Sequence, residues 1–138
     1  MVKLGNDEIK CIALFEQITG VGAEDCLIEP SRVTFVVKAG DVGRAIGKGG
    51  MTIRRARDMF KKQVEVFESA NTLEGFARNL FPGVAVKSVS VRGTEGAQVA
   101  HIAVEEKDRG AAIGKGGEKI KLARMMLSRH YGADLKLQ

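Results

Sequence analysis

Aromatic side chains are in short supply: the 138 residues hold no tryptophan, one tyrosine and six phenylalanines. The phenylalanines fall mostly on stripes that read as buried, so recognition by stacking flat ligands on exposed rings has little material. Cysteine is nearly as scarce. Cys11 and Cys26 have no histidine or second cysteine pair at metal-ligand spacing, so no metal site is expected. They read as small buried hydrophobes, with a Cys11–Cys26 disulfide as the alternative. The two histidines, His101 and His130, have no acid or nucleophile at a telling spacing, and neither a catalytic group nor a cofactor is expected. The paired acids Asp7-Glu8 and Glu105-Glu106 read as a helix start and a loop edge. No apolar run approaches the length of a membrane span, and the first twenty residues carry acids where a secretion signal would be basic. A cytoplasmic protein without membrane contact is the expectation. Gly/Ser-rich and Pro-rich stretches are missing too, which argues for a stiff arrangement rather than units on a flexible linker.

What the chain does have is a stretch that occurs twice. Residues 43–60 read GRAIGKGGMTIRRARDMF and residues 110–127 read GAAIGKGGEKIKLARMML, an offset of 67 with eleven identities in eighteen positions. Two copies of one structural unit, head to tail, follow from that spacing. We expect domains at residues 1–68 and 69–138, each near the lower size at which a core supports itself.

Three glycines in four residues strip side chains from a segment that something must approach closely, and they permit positive φ. A helical pattern resumes directly afterwards, with Ile53, Ala56 and Phe60 in one copy and Ile120, Ala123 and Leu127 in the other. Each glycine loop therefore opens a helix, where free N–H groups and the helix dipole favour an anion. Lys48 and Lys115, inside the loops, add mobile positive charge. A phosphate is the natural guest. Nucleotide loops are excluded by spacing: a Walker A loop needs glycine where Val42 and Arg109 stand, and a dinucleotide loop needs glycine at Thr52 and Lys119. A plain helix–helix connection, with glycines only for turning, is the bland alternative. The I-G-x-x-G-x-x-I pattern, flanked by Ile46 and Ile53 and then by Ile113 and Ile120, resembles the KH domain, whose GXXG loop clamps the backbone of about four nucleotides of RNA.

The distribution of charge agrees with a polyanionic partner. The net charge is only +5, yet residues 44–62 hold seven Lys or Arg against one acid, and residues 111–130 hold five against one. Residues 1–30 are acidic instead. Positive charge thus lies where the glycine loops already call for phosphate.

Along the chain, Asn6 reads as the cap of a first helix that Gly20 ends. Residues 26–28 and 32–38 read as strands leading to the first motif, and Val64, Val66 and Phe67 close the unit as a third strand. In the second unit Asn71, with Glu74 three residues on, reads as a capping box, and Pro82 stops that helix. Residues 84–91 and 99–104 read as a hairpin before the second motif, and residues 133–137 as the closing strand. With the accessory helix and strand placed before the motif, this order resembles the prokaryotic, type II KH fold. The expected class is α+β: two tandem type II KH domains, each a three-stranded mixed sheet packed against three helices.

The joining segment carries a narrower resemblance. Asn79, Leu80, Pro82, Val86, Lys87, Ser88 and Val89 are similar to the connector between the paired KH domains of the NusA family of transcription elongation and termination factors. Ile120-Lys121-Leu122-Ala123 matches that family's stretch after the loop. Bacterial members add an N-terminal polymerase-binding domain and an OB-fold, neither expected here; the chain looks like the short archaeal form. The resemblance implies single-stranded RNA, in particular a nascent transcript, as partner, with RNA polymerase as a further one; a monomer is expected. It places phosphates at Gly47, Lys48, Gly49 and Gly50 and at Gly114, Lys115, Gly116 and Gly117. Ile46, Ile53, Ile113 and Ile120 would form apolar walls for bases. Arg44, Arg54, Lys119 and Lys121 are candidate backbone contacts, and Arg57 and Arg124 are read as flanking residues. A ribosome-associated or RNA-processing KH protein, a single-stranded DNA binder and a protein-interaction scaffold with vestigial loops share these features and stay open.

Overall fold

The computed structural model describes residues 3–138. The chain divides into two compact units that meet in sequence between Ser69 and Ala70. Both have the same order of α-helices and strands, the second adding a 3-10 turn at Glu106–Asp108, and both are α+β with a three-stranded mixed sheet.

The first unit opens with helix α1 (Asn6–Thr19), which Gly20 ends in the left-handed conformation at φ 74°. Strands β1 (Ala23–Ile28) and β2 (Arg32–Val37) pair antiparallel, and β3 (Gln63–Glu68) lies parallel to β2. Between β2 and β3 the chain forms helix α2 (Val42–Ile46), a single 3-10 turn at Lys48–Gly50 and helix α3 (Met51–Phe60). The helical motif is therefore the crossover that a parallel strand pair requires. One face of the sheet packs on the helices through Val33, Phe35, Val37, Val64 and Cys26 against Phe15, Ala45, Ile53 and Ala56. Phe15 and Phe35 stack with centroids 4.0 Å apart, and Phe60 tilts against Phe35 at 5.6 Å. These contacts show where three of the phenylalanines went: they pack in the interior of this unit.

Cys11 and Cys26 are not in a disulfide, the first being half-buried and the second buried. Burial, reinforced by the neighbouring Cys11, pushes the Cys26 thiol up to about 12, so it stays protonated and serves as a small hydrophobe.

The second unit repeats the plan with helix α4 (Leu73–Asn79), strands β4 (Val86–Arg92) and β5 (Val99–Val104), helices α5 (Arg109–Ile113) and α6 (Glu118–Tyr131), and strand β6 (Asp134–Leu137). Again β4 and β5 are antiparallel and β5 and β6 parallel. Phe76 on α4 packs against His130 and Tyr131 at the end of α6, with centroids 4.9 and 5.7 Å away. The Tyr131 hydroxyl donates to the Ala70 carbonyl at 2.8 Å, fastening the start of this unit to its last helix. His130 thus has a packing role.

Two capping expectations are corrected. Helix α1 is capped by Gly5, without a side-chain hydrogen bond, and Asn6 is its first residue. Helix α4 is capped by Thr72, whose Oγ1 accepts the Gly75 N–H at 3.0 Å; Asn71 is exposed and lies before it. The Asn71–Glu74 capping box therefore does not form. Thr72→Ala should lower the stability of the second unit by about 1 kcal/mol, read from chemical denaturation, whereas Asn71→Ala should change little. Strand β1 also begins three residues earlier than its apolar core suggests. The register slips between Ala23 and Asp25, and a matching slip falls between Val86 and Ser88 of β4. Asp25, 1% exposed, is accommodated there, its Oδ1 accepting the Cys26 N–H at 2.8 Å.

Candidate nucleic-acid interface

The two glycine turns have nearly the same main-chain shape. Gly47 adopts φ 78°, ψ 169° and Gly114 φ 77°, ψ 169°, a region open only to glycine. The next glycines are left-handed: Gly49 and Gly50 at φ 61° and 77°, and Gly116 and Gly117 at 65° and 75°. Gly50 and Gly117 then serve as N-caps of α3 and α6.

Hydrogen bonding narrows which amides can serve a ligand. The Gly47 N–H donates to the Gly43 carbonyl at 2.9 Å and the Gly50 N–H to the Gly47 carbonyl at 3.0 Å. Gly114 and Gly117 do the same toward Gly110 and Gly114, at 2.9 and 3.1 Å. Of the four amides expected to face phosphate in each turn, two are therefore committed. Among the described residues, no main-chain acceptor meets the amides of Lys48 and Gly49, or those of Lys115 and Gly116. These two pairs sit at the positive ends of helices 10 and 14 residues long, and the Lys48 and Lys115 side chains beside them are exposed.

The isoleucines differ in exposure. Ile46 is 39% exposed and Ile113 and Ile120 are half-buried, whereas Ile53 is 7% exposed and belongs to the core of the first unit. Ile53 therefore cannot offer a base much surface. Met51, 61% exposed in the first turn of α3, supplies apolar area beside the first glycine turn that the motif pattern did not mark. The signal was available: it is the first residue after Gly50, an apolar side chain in a helix that carries three arginines.

The basic residues are not equivalent either. Arg44 donates to the Gly20 carbonyl at 2.9 Å and lies 3.4 Å from Asp41, so much of its hydrogen-bonding capacity is turned toward the end of α1. Arg54 reaches back along α3 and donates to the Gly49 carbonyl at 3.0 Å. Its counterpart Lys121 is exposed, and its stem lies over Gly117. Lys119 is exposed as well, with its Cβ and Cγ lying over Gly114 where Thr52 lies over Gly47. Arg57 is exposed; Arg124 instead forms a two-pronged pair with Asp134 at 3.0 and 3.2 Å. The Arg124 guanidinium, helped by the Leu135 N–H, holds the Asp134 carboxyl below the ordinary aspartate range. Both partners are well exposed, so the pair orients Arg124 more than it stabilises the fold.

Among the described residues, no three His, Cys, Asp or Glu side chains gather as a metal site, and no helix is long and apolar enough to cross a membrane.

Comparison with known proteins places this geometry. A family model described as "KH domain" matches residues 11–96. The probable transcription termination protein NusA of Halococcus morrhuae is 36% identical over 133 residues, covering 96% of this chain and 95% of the relative. The probable transcription termination protein NusA of Methanocaldococcus jannaschii is 38% identical over 129 residues, covering 94% of this chain and 70% of the relative. Among solved structures, the crystal structure of APE1850 superposes with a TM-score of 0.86 at 40% identity, covering 98% of this chain and all of that one. With a KH model over more than half its length and NusA relatives aligned along nearly all of this chain, the chain belongs to the archaeal NusA family of KH-domain proteins.

Proposed function

We propose that the protein is a NusA-like transcription factor, acting in termination, antitermination or elongation, that holds single-stranded RNA in two clamps and catalyses no reaction. In this reading residues 1–68 and 69–138 are two type II KH domains in tandem. Each clamp holds the sugar–phosphate backbone of about four nucleotides, the nascent transcript being the physiological strand. The observation that carries the reading is the pair of uncommitted amides at Lys48–Gly49 and at Lys115–Gly116, each at a helix N-terminus beside an exposed lysine. Such an arrangement binds phosphate oxygens whatever the base, so sequence preference must come from the surroundings of the turn. Ile46 and Met51 in the first unit, and Ile113 and Ile120 in the second, give bases an apolar surface to rest on. RNA polymerase is the further partner implied by family membership, and the protein acts as a monomer.

Anisotropy titration of a labelled single-stranded RNA beside a DNA of the same sequence tests the reading. Preference for RNA, or parity, with a steep loss of affinity in salt is expected; absence of binding to either sinks it. Tighter binding to DNA would make single-stranded DNA the ligand. Crosslinking to cellular RNA, run beside a polymerase pull-down, separates nascent transcripts from the ribosomal RNA that a ribosome-associated protein would yield. Lys115→Ala should weaken binding to every sequence alike and reduce the slope of log K against log salt by about 0.7, the value for one lost phosphate contact on a single strand.

A further inference from the structure

We infer that Arg54 is a positioning residue that sets the first glycine turn in its binding shape, a device the second turn lacks. This rests on the RNA-binding reading above and deepens it.

Gly49 and Gly50 are consecutive left-handed glycines with no β-carbon to restrict them. A peptide between two glycines is the loosest joint a chain can have, and its ordering opposes any ligand that needs one conformation. The Gly49 carbonyl belongs to that peptide, and Arg54 donates to it at 3.0 Å. The reach is natural, because side chains on a helix slant toward its N-terminus. The location is otherwise poor for a cation, since the helix dipole is positive there. A carbonyl acceptor offsets that cost. Arg54 thus fixes the peptide carbonyl on one side, so that the Lys48 and Gly49 amides stay free for the ligand.

The second turn provides the built-in comparison. Its main chain has the same dihedral angles, with Gly116 and Gly117 again left-handed. At the position of Arg54 stands Lys121, whose Cε would lie 3.9 Å from a β-carbon at Gly117. A lysine carries the same charge but offers a compact ammonium instead of a planar fork. The two clamps accordingly differ in pre-organisation rather than in charge at this position.

That distinction decides the test. In the full-length chain, with the second turn silenced by aspartates at Lys115 and Gly116, Arg54→Lys should weaken RNA binding about three- to tenfold. The salt slope should not change, because the charge is kept. Arg54→Gln should weaken binding further and lower the slope. Conversely, with the first turn silenced at Lys48 and Gly49, Lys121→Arg should tighten binding by a comparable factor. Suppose Arg54→Lys binds as the parent does while the double aspartate at Lys48 and Gly49 still abolishes binding. The positioning role is then overturned and the RNA reading stands. If neither change affects binding, the RNA reading falls and takes the positioning role with it. A loss in Arg54→Lys accompanied by a lower salt slope would also overturn positioning, since it would mark a lost phosphate contact.

Discussion

Replacing Lys48 and Gly49 together by aspartate is expected to abolish RNA binding at the first turn while leaving the first unit folded. Lys48 is exposed, and a β-carbon at Gly49 would meet no heavy atom within 4 Å. Aspartate is among the few residues that enter the left-handed region readily, so Gly49 at φ 61° should accept it for about 1 kcal/mol. Function is another matter. Two carboxylates would stand beside the two uncommitted amides of this turn, and a phosphate about 5 Å from each meets a repulsion of about 3 kcal/mol per pair at an effective dielectric near 20. With the second turn silenced, anisotropy should therefore show at least a hundredfold loss, while circular dichroism and the melting transition stay close to those of the parent. Retained affinity would mean that the strand is not held at these amides.

The opposite pattern, loss of fold with loss of function, is expected at Gly47. Its dihedral angles lie in the region open only to glycine, and an added β-carbon would sit 2.2 Å from Thr52 Oγ1 and 2.9 Å from the Thr52 main-chain nitrogen. The hydroxyl can rotate away; the nitrogen is fixed in the first turn of α3. Gly47→Ala should therefore destabilise the first unit by about 2–4 kcal/mol, strain and displaced backbone together, seen as a shift of its denaturation midpoint. Gly114→Ala should behave alike, because the Lys119 nitrogen stands at the same 2.9 Å. Neighbouring glycines thus fail for different reasons: Gly47 is required by the fold, and Gly49 by the ligand.

Much of this is legible in the sequence. The 67-residue offset marks both turns and both following helices, and the β-branched run at 32–38 announces β2, which ends one residue earlier. Where the reading slipped, the cause is local. Asn71 and Thr72 are adjacent cap formers, and Glu74 favours the first by its spacing. Only the path of the main chain decides that Thr72 faces the Gly75 amide. Ala23, Glu24 and Asp25 look unlike a strand because the slipped register lets acids stand where apolar residues were expected. Ile53 has the spacing of a wall and the burial of a core residue. The isoleucine pattern is the same for both roles, because one helix face must supply both. The Arg54 contact was beyond reach, since it depends on where the Gly49 carbonyl points, and no residue type encodes that.

The placement of each turn within its unit has a thermodynamic consequence. The segment that would grip the strand is also the only covalent route from β2 to β3, and from β5 to β6. Peeling away the closing strand therefore releases the turn, and a seated transcript must oppose that opening. Occupancy should consequently be felt as slower amide exchange along β3 and β6, strands that need not touch the ligand at all.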